Sequence, residues 1–168
     1  MTNNLTINKQ AVFYPRNFIR DKILSIEEEM KKVPSAYLGD SDLCPLKHSF
    51  SEGIYVREIF IPAGTLVVGK IHKHSHPNFL MQGKVSVLTE MGIRHLEAPL
   101  SMVSPAGTKR VVYAHTDTVW ITVHKTNKIN LKKIEKEIIA KDYDEFDLRK
   151  INFEESEFIA FTEEAKNV

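Results

Sequence analysis

The hydrophobic and polar positions divide the chain into three stretches of different texture. In the first, residues 1–53, one segment is patterned. Ile23, Leu24, Ile26 and Met30 make an apolar side, with Glu27, Glu28 and Glu29 opposite, which predicts a helix from Asp21, as its cap, to about Lys32. Pro34 ends it, and Gly39-Asp40-Ser41-Asp42 reads as a loop. In the second stretch, residues 54–125, short alternating runs dominate. Residues 54–61 predict a strand and Pro62-Ala63-Gly64 a turn. Residues 65–76 read as one or two strands, and 84–90, 94–97, 100–104, 109–115 and 119–124 as further ones. Many short strands with closely spaced turn signals predict an all-β sandwich or barrel. In the third stretch, residues 126–168, Leu131, Ile134, Ile138 and Ile139 recur at helical spacing and predict an amphipathic helix over 131–140, about three turns long. Residues 141–168 are acidic, but Phe146, Leu148, Ile151, Phe153, Phe158, Ile159 and Phe161 interrupt the charge, so this segment is expected to pack on the barrel or on a second subunit.

A length of 168 residues fits one folded domain: an N-terminal extension with one helix (1–53), a barrel (54–125), and a C-terminal helix with its tail (126–168). The formal net charge of +1 gives no electrostatic case for a nucleic acid or an anionic membrane as partner. Cys44 is the single cysteine, so no intramolecular disulfide can form and a reducing, cytoplasmic setting is expected. No apolar run approaches the roughly 20 residues that span a bilayer. Residues 1–10 lack the apolar core of a signal peptide.

Candidate chemistry centres on histidine. Three of the seven histidines fall within five residues, His72-Lys73-His74-Ser75-His76. On a continuous strand all three imidazoles would share one face. Such a face is costly to bury unless something accepts its polarity, and a divalent transition metal (Fe, Mn, Ni or Zn) does so. The alternative is a polar rim strand of hydrogen-bonded histidines with no metal. His115 would supply a further ligand from the strand after Pro105-Ala106-Gly107, or else mark an ordinary hairpin tip. Arg110 lies on the opposite face from His115, so both point inward only through a bulge. In the last strand His124 shares a face with Thr118, Trp120 and Thr122; it faces the pocket if Val119, Ile121 and Val123 face outward, and solvent or a partner otherwise. Tyr55, Tyr113 and Arg110 are the candidates for orienting a substrate or donating a proton. Cys44 and His48 make at most half of a zinc site. No phosphate-binding glycine loop or nucleophile elbow is present.

Gly69, the His72-Lys73-His74 pair, Gly83, and then Pro105-Ala106-Gly107 resemble the two-part motif of the cupin superfamily. The resemblance covers roughly residues 54–124 and implies a double-stranded β-helix, the jelly-roll barrel. In the family's pattern His72 and His74 fall on the His-x-His pair. The glutamate position falls on His76, and the second-motif histidine on Arg110. A run from Gly53 to Thr65, with Ser104 to Arg110 and Asp117-Thr118-Val119-Trp120, resembles small cupin-like proteins of tailed phages and prophages, which implies a host-cytoplasmic setting but no reaction. The expectation is a mainly β protein: a cupin-type jelly roll with flanking N- and C-terminal helices. Three functions compete. One is a metal-dependent enzyme acting on a small polar metabolite, with His72, His74, His76 and His115 as ligands. The others are a metal-free module for a small-molecule ligand and a structural or interaction protein. Self-association as a homodimer is expected.

Overall fold

The computed structural model describes residues 16–37 and 41–145. The polar N-terminus, part of the expected loop at 39–42 and the aromatic-interrupted tail from 146 onward lie outside the described residues. The elements in order are α1 (Arg16–Lys31), β1 (Leu46–Ser51), β2 (Ile54–Ile61), β3 (Leu66–Val68), β4 (Ile71–His72), β5 (His76–Gln82), β6 (Lys84–Thr89), β7 (Gly92–Glu97), β8 (Leu100–Ser104), β9 (Val111–Ala114), β10 (Thr118–Lys125), α2 (Leu131–Ile138) and β11 (Ile139–Ala140).

Five strands form one sheet in the order β1-β2-β10-β5-β8, and four form a second in the order β3-β9-β6-β7. A short third sheet pairs β11 with β4. The strand pairs within the two main sheets are antiparallel. The two sheets enclose one core, with Ile61, Leu80 and Trp120 from the first meeting Val85, Val87, Val112 and Ala114 from the second. This is the expected jelly roll with flanking helices. Full burial of a side chain such as Leu80 stabilises by about 1.5–3 kcal/mol, so the facing layers hold the barrel shut.

The chain switches sheets between β5 and β6 at Gly83. Its φ of +100° suits only glycine, and an added Cβ would stand 2.7 Å from the Asp117 carbonyl oxygen. Helix α1 lays Ile19 and Ile23 on Val111, Val68 and Leu88 of the four-stranded sheet. Helix α2 is capped by Asn130, whose side chain accepts from the Lys133 N–H at 3.1 Å, and it packs Ile134 and Ile138 against Tyr55.

Some elements depart from the sequence pattern. Helix α1 starts five residues before Asp21, because Ile19 extends its buried stripe a turn back, and Asp21 is an exposed interior residue. Helix α2 stops at Ile138, where the chain extends to pair Ile139 with His72. Strand β1 is an edge strand falling within the stretch read as an extension. Strand β5 reads inverted: His76, Asn78 and Leu80 are buried, whereas Phe79 and Met81 face out.

Candidate metal centre

Three strands bring three imidazoles together. His72 ends β4 and pairs with Ile139 of the small sheet, while His76 begins β5 and pairs with Ser104 of the five-stranded sheet. Between them, residues 73–75 carry the chain from one sheet to the other. The Lys73 N–H donates to the Ile138 carbonyl and the Gly107 N–H to the His72 carbonyl, both at 2.7 Å, which fixes the corner. His124 comes from the far end of β10, where Thr118, Trp120, Thr122 and His124 form the buried face and Val119, Ile121 and Val123 lie half-exposed outside.

The rings form a tight group. Centroids are 4.2 Å apart for His72 and His76, 5.1 Å for His72 and His124, and 4.6 Å for His76 and His124. One ring nitrogen from each lies within 4.8 Å of one from each of the others. His72 Nδ1, His76 Nε2 and His124 Nε2 are buried without a hydrogen-bond partner. Buried polar atoms are ordinarily paired, so three such nitrogens in one place ask for a shared partner. The His76 Nδ1 lies 3.2 Å from the His74 carbonyl. A carbonyl only accepts, so Nδ1 carries the proton and Nε2 presents its lone pair, the arrangement that orients a metal-binding imidazole.

Electrostatics favour the neutral, ligating form. Burial lowers the His72 pKa to about 2, helped by the neighbouring His76, His124, Arg110 and Arg57. Burial lowers His76 to about 3, against the opposing hydrogen bond to His74 and with help from His124 and Arg110. It lowers His124 to about 4, with Arg57 and His74 adding to the effect. The triad is uncharged at neutral pH. Its size, donor type and protonation fit a divalent transition ion. Three protein ligands would leave coordination positions open on a bound ion, as in catalytic rather than structural zinc sites.

A ring of side chains supports this group. Tyr55 is buried and stacks on His124 with 6.0 Å between centroids, and its hydroxyl lies 2.7 Å from His48 Nδ1. One step along the inner face of β5, fully buried Asn78 gathers four bonds. Its Nδ2 donates to the His76 carbonyl at 3.0 Å and to Ser104 Oγ at 2.7 Å. Its Oδ1 accepts from Arg110 Nη1 at 2.9 Å and from Trp120 Nε1 at 3.1 Å. Arg110 Nη2 also donates to Ser104 Oγ, and the guanidinium lies over the Trp120 ring.

The sequence-predicted residues separate accordingly. His72 and His76 join the cluster, but not from one strand, because the chain bends between them. His74 is exposed at that bend and contributes its carbonyl instead of its ring. His115 is exposed on the other face: Val112 and Ala114 point into the core, which turns Tyr113 and His115 outward. His115 Nε2 sits 2.6 Å from Ser86 Oγ, and Tyr113 stands edge-on to its ring. Thus neither His74 nor His115 is a member of the cluster, and Tyr113 lies away from it. Arg110 points inward, as the parity argument allows once His115 points out. His124 completes the triad. The signal for it was the β10 alternation, with the aliphatic face as the outer one.

The two main sheets form a jelly-roll barrel, and the three-imidazole cluster makes a candidate metal centre. No protein-family model matches the chain, and no curated protein matches it in sequence. Among solved structures it is similar to KdgF from Halomonas sp. at 16% identity and a TM-score of 0.46, over 55% of this chain and 86% of that one. It is also similar to ectoine synthase from P. lautus at 13% identity and a TM-score of 0.49, over 66% and 81%. A cupin domain from Bordetella pertussis Tohama I matches at 16% identity and a TM-score of 0.41, over 54% and 99%. No helix among the described residues is long and apolar enough to cross a membrane.

Proposed function

We propose that the chain is a metal-dependent cupin protein that holds a divalent transition ion on His72, His76 and His124 and uses its open positions for a small-molecule ligand. The observation that carries this reading is the convergence of three buried, unpartnered imidazole nitrogens within 4.8 Å. Fe, Mn, Ni and Zn all accept imidazole ligands. A bound ion would supply Lewis-acid or redox chemistry. The protein's own part is to keep the rings neutral, to fix the His76 tautomer through the His74 carbonyl, and to stack Tyr55 on His124. Tyr55 and Arg110 are the residues proposed to orient a ligand. The reading is tested by metal analysis of tag-free protein. Near-stoichiometric transition metal that disappears in His124→Ala supports it, and wild-type protein that stays metal-free after incubation with Fe(II), Mn(II), Ni(II) and Zn(II) at neutral pH overturns it.

Self-association as a homodimer belongs to the same proposal. The outer face of the five-stranded sheet exposes Phe79 by 36%, Met81 by 56% and Val103 by 50%, which is apolar area of the kind a second copy would cover. Light scattering that reports a monomer at micromolar concentration would count against it. A reducing cytoplasm is the compartment proposed, given a single cysteine, Cys44, that is not disulfide-bonded.

A further inference from the structure

The outer face of the four-stranded sheet carries a side-chain cluster apart from the triad. Val85 and Val87 point into the core, so Ser86 between them points out. The strand register sets His95 of β7 directly across from Ser86 on one side and Tyr113 of β9 on the other. His115 follows the last residue of β9, and its N–H donates to the Lys84 carbonyl at 2.8 Å, which ties this strand end to β6. Tyr113 stands edge-on to the His115 ring, with 5.0 Å between centroids. Both imidazoles then converge on one hydroxyl: Ser86 Oγ lies 2.6 Å from His115 Nε2 and 2.8 Å from His95 Nδ1.

A serine hydroxyl has a single proton to give. It donates to one imidazole, and the other donates to it. Hydroxyl donors make shorter hydrogen bonds than N–H donors, by about 0.2 Å. The shorter contact therefore assigns His115 Nε2 as the acceptor, with its lone pair on the serine proton, and His95 Nδ1–H as a donor to the oxygen. A hydroxyl with a neutral imidazole held on its proton is the arrangement of an activated nucleophile. Stability does not account for it, because hydrogen bonds on a wet face exchange with equivalent ones to water. Both imidazoles are exposed and Ser86 is half-buried, so the group is open to a reactant from solvent.

We propose that Ser86 is a nucleophile toward activated acyl esters, with His115 as its general base. Ser86 Oγ attacks the ester carbonyl carbon while His115 Nε2 takes the hydroxyl proton. The tetrahedral adduct then expels the alcohol or phenol oxygen with the electron pair of the broken C–O bond, and the proton on His115 passes to that leaving group. The products are an O-acylated Ser86 and a free alcohol or phenol. His95 is a positioning residue, holding the serine oxygen through its N–H. The reaction needs no metal and does not rest on the metal reading.

The experiment mixes the full chain with p-nitrophenyl acetate in EDTA, so that a metal-bound hydroxide contributes nothing. Release of p-nitrophenolate is followed, and the acetyl group is mapped by peptide mass spectrometry after an acid quench. Wild-type protein should carry the acetyl group on Ser86, formed faster than on any lysine or on Cys44. Ser86→Ala should lose that early phase of release. His115→Gln, which cannot take the proton, should slow Ser86 acetylation about a hundredfold. His95→Ala should slow it about tenfold, the worth of one hydrogen bond, and His95→Asn, which keeps an N–H donor close to the Nδ1 position, should recover most of the rate. All four substitutions lie on the outer face, so the barrel should stay folded, and urea midpoints near that of wild type check this. No acetyl group on Ser86 overturns the inference, as does wild-type acetylation of Ser86 in His115→Gln. Release as fast in Ser86→Ala as in wild type also overturns it, since the imidazoles would then be acting alone.

Discussion

The rings of His72 and His124 lie nearly parallel, 9° between planes and 5.1 Å between centroids, although 52 positions of sequence separate residues 72 and 124. Strand β4 delivers the first and the end of β10 the second, with His76 against both. Metal binding should therefore follow the triad and ignore the other histidines. His72→Ala, His76→Ala and His124→Ala should each lower affinity at least a hundredfold, on the scale of about 2.7 kcal/mol. His74→Ala and His115→Ala should retain wild-type stoichiometry. Isothermal titration with Zn(II) distinguishes the two groups, and equal loss in His115→Ala would sink the assignment.

Acid should unfold the metal-free protein through the same three groups. Their folded-state values, about 2, 3 and 4, lie below the ordinary histidine value of 6.5. Between those values and pH 6.5 the unfolded chain binds protons that the native chain refuses, so stability falls as pH drops through 6.5. Each group contributes up to about 1.4 kcal/mol per pH unit. Bound metal should extend the stable range toward acid, because it occupies the same nitrogens in the native state only. Urea midpoints at pH 7.5 and 5.5, with and without Zn(II), measure this. A midpoint for the metal-free triple variant His72→Ala/His76→Ala/His124→Ala that falls as steeply with acid as wild type would contradict it.

The alternation of residues 54–61, 84–90, 100–104 and 119–124 was enough to place most of the barrel, because each inner face repeats every second residue. Strand β5 escaped because its inner face carries His76 and Asn78 while Phe79 and Met81 point out, the reverse of the usual rule. The site was half legible for a related reason. Two-residue spacing put His72, His74 and His76 on one face only while the strand was assumed continuous. A sheet-to-sheet corner is made by long-range bonds, from Gly107 and to Ile138, that no local pattern records. His124 required knowing that the aliphatic face of β10 points outward, which depends on what the opposite face meets.

Asn78 should be the polar residue whose loss costs the fold most. Asn78→Leu preserves approximate volume but leaves the Trp120 N–H, one Arg110 N–H and the His76 carbonyl without the partner they have now. An unpaired buried group costs about 1–3 kcal/mol, and more beside a charge. Asn78→Leu should therefore lose about 3–5 kcal/mol, comparable to Leu80→Ala in the core. Chemical denaturation compares the two. A loss below 1 kcal/mol, by order of magnitude, would show the network to be dispensable.

Gly83 tests whether the corner between the sheets is built as described. Its φ of +100° is strained for any side chain, and a Cβ there would stand 2.4 Å from Thr118 Oγ1 and 2.7 Å from the Asp117 carbonyl oxygen. The hydroxyl donates to the Thr116 carbonyl at 2.8 Å on a fully buried side chain, and the Asp117 carbonyl belongs to the turn that feeds β10, so neither gives way without shifting Thr118. Gly83→Ala should thus cost about 2–4 kcal/mol, combining backbone strain with displacement of the turn. Gly92→Ala is the matched control. Its φ of +103° is equally unfavourable, but no atom comes within 4 Å of the added methyl, so only the strain of about 1–2 kcal/mol remains. The difference between the two variants isolates the steric part. Since the turn carries β10, and β10 carries His124, Gly83→Ala should also weaken Zn(II) binding, whereas Gly92→Ala should leave it unchanged. Equal stabilities and equal zinc affinities for the two variants would mean that the corner does not set the position of the triad.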